Sequence, residues 1–368
     1  MLKTAPKTRS EAASEPKKGG YLDDSKQDSS VRPRMYMYRG LVTAALLLVV
    51  FRSVDIQSIR ESLARIQTGR VAALLLVHWL CQMVTAQRWR VLAGSIGVQG
   101  SYWGFLRVHF VGMFFSTGLP SLVGGDAFKA YVASRQPGGS LAAGIASVLL
   151  DRAAGLAVLL SYGTAAILLY PLSWRGIPLV LFYLACWAGG AVAAIAIWKG
   201  ERLTRRWVDP NAPSVLRRVL DRIAISHQNL SLAHLSGREV SQVLLLSAVN
   251  SFLVILIIRQ VCVAFGYNVD IIGIAAVVPI TDFLMMIPIS ISGLGVREWA
   301  YLQVLPLLGI PPGATLAVAL TSSALIILRN LGGALTLPML TGYEPDGIAL
   351  EGRGVLVPGI ETDLLLKA

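Results

Sequence analysis

Few side chains in this sequence could do chemistry, and nearly all of them are charged residues set in apolar text. Asp126 and Lys129 follow Gly124 and Gly125, Asp151 and Arg152 are adjacent, Asp282 stands alone, Arg297 and Glu298 follow Gly293 and Gly295, and Arg329 closes the series. Arg152 and Arg329 each lie about a dozen residues from the nearer end of an apolar run. An arginine at such depth costs about 2.5–3.5 kcal/mol on insertion scales unless it faces a cavity or a partner. Both are expected to face inward.

The chemistry these groups offer is anion binding. Glycines at a helix start let the backbone present unpaired N–H donors, and a guanidinium grips phosphate through two parallel donors. The expected binding set is Gly124, Gly125, Asp126, Lys129 and Arg152 from the first half, with Ser292, Gly293, Gly295, Arg297, Glu298 and Arg329 from the second. Asp151 and Asp282 are expected as ion-pair or coupling groups. A plainer reading stands beside this one: Asp126 caps its helix, Arg152 pairs with Asp151 or Asp126, and Arg329 pairs with Asp282 or Glu298.

Other chemistries find no support. Cys81, Cys186 and Cys262 sit singly in apolar runs, and His78, His109, His227 and His234 lack zinc spacing, so packing or loop roles and no metal are expected. The sequence has no phosphate loop of the Gly-x-x-x-x-Gly-Lys-[Ser/Thr] type, no Gly-x-Ser-x-Gly and no His-Glu-x-x-His. No cofactor and no enzymatic activity are expected. The net charge of +12 comes without an aromatic-interleaved basic module, so it points to loops near anionic lipid rather than to nucleic acid.

The elements that must position these groups follow from composition. Of 368 residues 54% are apolar and only 15% charged, with a mean hydropathy of +0.61, where a soluble chain carries about 25% charged residues. Several apolar runs approach or exceed the roughly 20 residues that cross a bilayer as a helix. The expected fold is therefore an all-α polytopic membrane protein in the cytoplasmic (inner) membrane. Residues 1–34, with five lysines, read as a disordered cytoplasmic tail, and nothing there resembles a cleaved signal.

The first membrane half is expected over 35–198, with spans at 35–51, 71–86, 141–170 and 177–198 and an interfacial stripe near 52–70. The second span should end in a cytoplasmic-face anchor, Gln87-Arg88-Trp89-Arg90. Residues 102–135 are broken at 116–126 into arms too short to cross, which predicts a re-entrant hairpin. The loop 199–239, with eight arginines and lysines against four acids, is expected inside. The second half, 240–340, repeats the plan with a span at 240–266, a re-entrant segment at 271–298 and spans at 299–310 and 313–340. This count gives seven spans and two hairpins, the N-terminus inside and the acidic tail 341–368 outside.

The text of the halves also repeats. Pro120-Ser-Leu-Val-Gly-Gly-Asp-Ala-Phe-Lys-Ala-Tyr131 parallels Pro288-Ile-Ser-Ile-Ser-Gly-Leu-Gly-Val-Arg-Glu-Trp-Ala-Tyr301, and Leu150-Asp-Arg152 parallels Leu328-Arg329. Three spans and a hairpin per half would insert the halves with opposite orientation, an inverted repeat. With Pro120 and Gly124-Gly125-Asp126, Asp151-Arg152, and Pro288-Ile-Ser290-Ile-Ser-Gly293-Leu-Gly295-Val-Arg297-Glu298, the chain resembles the lysylphosphatidylglycerol synthase transmembrane region, also called the flippase-like family, over about residues 40–340. Where that family commonly has Arg after Gly-Gly-Asp, this chain has Lys129, which keeps charge but not the bidentate fork. The family's best-understood members carry a soluble aminoacyl-transferase domain after the membrane part. Here the chain runs about 28 residues beyond the last expected span, so the resemblance does not imply lipid aminoacylation.

The leading expectation is a lipid translocase whose central cavity accepts an anionic phospholipid or lipid-linked phosphate headgroup. An integral-membrane enzyme acting on polyprenyl-phosphate lipids and a secondary transporter of a small anion are the alternatives. A homo-oligomer is left open.

Overall fold

Helices dominate because a backbone in hydrocarbon must pair its own N–H and C=O groups. The computed structural model describes residues 68–118, 123–207, 235–286, 293–333 and 336. The expected tail 1–34, first span 35–51, most of the interfacial stripe, loop residues 208–234 and the tail 341–368 lie outside the described residues.

Helix α1 (Thr68–Ser95) is followed by α2 (Tyr102–Gly118), α3 (Val123–Ser134) and α4 (Leu141–Leu169). Strands β1 (Ser173–Trp174) and β2 (Ile177–Pro178) form a small antiparallel hairpin, with Ser173 opposite Pro178 and Trp174 opposite Ile177. Its turn residues Arg175 and Gly176 have φ of 50° and 82°, as a two-residue primed turn requires. Then come α5 (Val180–Trp207), α6 (Gly237–Ala264), α7 (Ile271–Met285), α8 (Val296–Val304), a 3-10 turn (Leu305–Leu308) and α9 (Pro312–Leu331).

Local sequence explains several starts. Ser140 Oγ accepts the Ala143 N–H at 3.1 Å ahead of α4. Ser236 and Glu239 form a capping box at α6, the Ser236 N–H donating to Glu239 at 2.8 Å. Asp270 Oδ1 accepts the Ile272 N–H at 3.0 Å ahead of α7.

Helices α1, α4, α6 and α9 are long and apolar enough to cross a membrane. Large apolar residues such as Leu149, Leu168, Leu244 and Leu245 lie exposed on their outer faces, which suits a lipid surround. Three expectations need correction. The helix expected at 71–86 runs on to Ser95, so Arg88 and Trp89 are buried inside the bundle rather than anchored at its edge. The segment 177–198 begins as strand β2, and its helix starts only at Val180. Residues 299–310 are not a span: α8 and the 3-10 turn together rise only about 21 Å against roughly 30 Å of hydrocarbon.

Packing divides the helices into two sets. In the first, α1 packs on α2 and α4, α2 on α3, and α3 on α4; in the second, α6 packs on α7 and α9, α7 on α8, and α8 on α9. Between sets α1 meets α6, α4 meets α6 and α7, and α9 meets α1 and α2. Every contact has its counterpart when α1, α2, α3 and α4 are exchanged for α6, α7, α8 and α9. Helix α5 stands outside this pattern and packs mainly on α4.

Candidate functional site

All eight helices of the two sets contribute to one cavity of about 350 Å³. Arg88, Lys129, Arg152, Arg297 and Arg329 line it, with Asp126, Asp151 and Asp282. Asp126, Lys129, Asp151, Arg152, Asp282, Arg297, Arg329 and Gly125, all anticipated from sequence, are thus brought to one place. Glu298 is fully buried beside it. Gly293 and Gly295, with φ of 76° and 80°, make the turn into α8, Gly124 lies in the first turn of α3, and Ser292 falls outside the described residues.

Gly125 has a packing role in addition to any binding role. A Cβ there would sit 2.2 Å from the Gly112 carbonyl oxygen, so the bare backbone is what lets α3 approach α2.

In the first set the cations are held by carboxylates. Arg88 Nε lies 2.8 Å from Asp151 Oδ1, and its Nη1 donates to Ser247 Oγ at 3.3 Å. Gly155 makes room for this guanidinium, since a Cβ there would lie 2.8 Å from Nη1. Lys129 Nζ is 3.9 Å from Asp151 Oδ2 and 4.5 Å above the Trp89 ring. That indole is fixed in turn by its Nε1–H to Ser147 Oγ at 3.1 Å and by an edge contact to Phe105. Arg152 makes a bidentate pair with Asp126, 2.9 Å from Nε to Oδ2 and 3.0 Å from Nη2 to Oδ1. Of the two pairings anticipated for Arg152, it is Asp126 that forms; Asp151 serves Arg88 and Lys129.

The second set is built differently. Arg297 Nη1 donates to Ser323 Oγ at 2.9 Å, and Ser323 Oγ donates to Glu298 Oε1 at 2.5 Å. Glu298 Oε2 accepts the Gly295 N–H at 2.6 Å. The glycine-opened start of α8, expected to offer a donor to an anion, is therefore already occupied by the helix's own acid. Arg329 donates through Nε and Nη2 to the Asn330 side-chain oxygen at 3.0 and 2.8 Å. Neither Asp282 nor Glu298 lies within ion-pair distance of it. Among the described residues Asp282 makes no hydrogen bond and no ion pair.

Sequence reasoning misses Arg88 as a cavity residue, and with it His78 and His109, for which it expects only packing or loop roles. His109 Nε2 lies 3.0 Å from Gln82 Oε1. A signal was present: His78, Cys81, Gln82, Thr85 and Arg88 recur every three or four residues, a polar stripe along one face of an apolar helix.

A family model described as the lysylphosphatidylglycerol synthase TM region matches residues 36–329. No curated protein and no solved structure matches the chain.

Proposed function

The chain belongs to the lysylphosphatidylglycerol synthase TM region family, an integral membrane protein with a lipid-related function, and from that premise we propose that it is a lipid translocase. It moves an anionic phospholipid or lipid-linked phosphate headgroup through the central cavity while the tail stays in the bilayer. The carrying observation is the charge of the wall: five cationic side chains against three carboxylates, set in helices whose outer faces are apolar. A formally positive cavity among apolar helices is costly when empty and is compensated by an anion.

The architecture in this reading is an inverted repeat, α1–α4 against α6–α9, in the cytoplasmic membrane with the N-terminus inside. Three helices, α1, α4 and α5, separate the start of one repeat from the start of the next. An odd number of crossings inverts the second repeat, and α2–α3 and α7–α8 become re-entrant hairpins entering from opposite sides. The symmetric contact pattern supports this. Because 299–310 is no span, α6 and α9 are the only crossings among the described residues between α5 and the C-terminal segment, and in this reading the segments after α5 and after α9 share one side. Single cysteines at Asn229 and Gly354, in a variant without native cysteines, should label alike with an impermeant thiol reagent on intact cells. Unlike labelling would remove this topology.

The function is tested in liposomes. Reconstituted protein is expected to move a headgroup-labelled phosphatidylglycerol between leaflets without changing its mass, and a zwitterionic lipid of the same chain length more slowly. Dithionite quenching reads the transfer. A lipid that gains or loses a chemical group would make the protein an enzyme, and passage of a soluble anion alone would make it a small-solute transporter.

A further inference from the structure

Arg152 lies mid-way along α4 and Arg329 in the last turn of α9, and the structure treats the two oppositely. Each of the three cavity cations of the first set contacts a carboxylate of this chain. Among the described residues neither cavity cation of the second set does: Arg297 bonds a serine hydroxyl and Arg329 a side-chain amide. Arg297 adds a sharper sign. It is 4% exposed and lines the cavity, and its Nε is a buried donor with no partner. We propose that Arg297 and Arg329 form the phosphate subsite, and that Arg88, Lys129 and Arg152 are scaffold cations held by Asp151 and Asp126.

This deepens the translocase reading and rests on it only for the source of the phosphate. The energetics favour the second set on two grounds. An anion approaching Arg152 must compete with a bidentate, charge-assisted carboxylate that stays behind as a like charge beside it. An anion approaching Arg329 displaces only a neutral amide oxygen, and its second oxygen gives the orphaned Arg297 Nε an acceptor. Arg297 and Arg329 line the same cavity as like charges. With no carboxylate among the described residues in contact with either, an oxyanion between them relieves that repulsion. The ligand class is a phosphate ester, or free phosphate, with two oxygens available on one face. Asp282 lines the same cavity, and its negative charge opposes the ligand.

The test is equilibrium binding to the full chain in nanodiscs, with phosphatidylglycerol retention read by native mass spectrometry and inorganic phosphate titrated separately. Arg329→Gln and Arg297→Gln are expected to lower retention by at least about tenfold. The double variant Arg152→Gln/Asp126→Asn is expected to stay within about threefold of wild type, since a neutral pair replaces an internally neutral pair. Arg329→Lys, which keeps the charge where Gln could impair folding, should still lose most of the retention because the fork is gone. Asp282→Asn should tighten binding. Retention lost in the double variant and kept in Arg329→Lys and Arg297→Gln would overturn the assignment while leaving the lipid reading intact. Inorganic phosphate binding that depends on Arg329, with no lipid retained, would keep the subsite and sink the lipid reading.

Discussion

Arg88→Met should cost more folded protein than any other single change in the cavity wall, the equivalent of about 3–5 kcal/mol, because removing one member of a buried ion pair strands the other. Arg88 and Asp151 have side chains only 6% and 3% exposed, joined at 2.8 Å. Without the guanidinium, Asp151 keeps only Lys129 at 3.9 Å, and Ser247 loses its donor. Methionine fills the volume beside Gly155, so the loss reports charge rather than a void. The measurement is the thermal midpoint in detergent with size-exclusion profiles of both proteins. Arg88→Met/Asp151→Asn should recover part of the loss, because the stranded charge is gone. A single variant as stable as wild type would show that this network does not hold the bundle together.

The contrast between Arg88 and Arg152 shows how far the sequence could be read. Apolar text was enough to place α1, α4, α6 and α9, since each helix reaches the roughly 20 residues that the bilayer demands and little else explains such runs. The breaks near Pro120 and Pro288 were legible as interruptions, and helices do stop on either side of both. Arg152 and Arg329 stood out because each arginine lies about a dozen residues inside a run of apolar text. Arg88 did not, since Trp89 and Arg90 beside it imitate an interfacial anchor, and only the polar stripe from His78 onward places it on the inner face. The segment 299–310 misled for a different reason: it is apolar enough for a span, but Gly309 in the left-handed region and Pro311 divide it from α9. Which acid meets which base is a tertiary matter. Asp151 is adjacent to Arg152 in sequence, yet successive helical positions point about 100° apart, and so the two serve different partners.

Glu298→Gln should preserve the fold and lower lipid transfer by at least about tenfold, the loss of one charge-assisted contact. The carboxylate accepts from two directions, the Gly295 N–H and the Ser323 hydroxyl, and that hydroxyl is thereby free to accept from Arg297. A glutamine oxygen can still take the Gly295 N–H and hold the start of α8. Its remaining group is an NH₂ donor, which faces Ser323 and demands an acceptor there. The serine oxygen then meets two donors where it met one, and its own hydrogen must turn away. Its two lone pairs can take both, so the Arg297 contact is kept but shared, and the aim of the guanidinium into the cavity loosens. Thermal midpoint and transfer rate, measured on the same preparation, separate the two effects: the midpoint should move by a few degrees while the rate falls tenfold or more. Ser323→Ala should reproduce the transfer defect without touching the Gly295 cap. If both variants transfer lipid at the wild-type rate, the Glu298–Ser323–Arg297 chain positions nothing that the ligand uses, and Arg297 must be held by the packing of α8 on α9 alone.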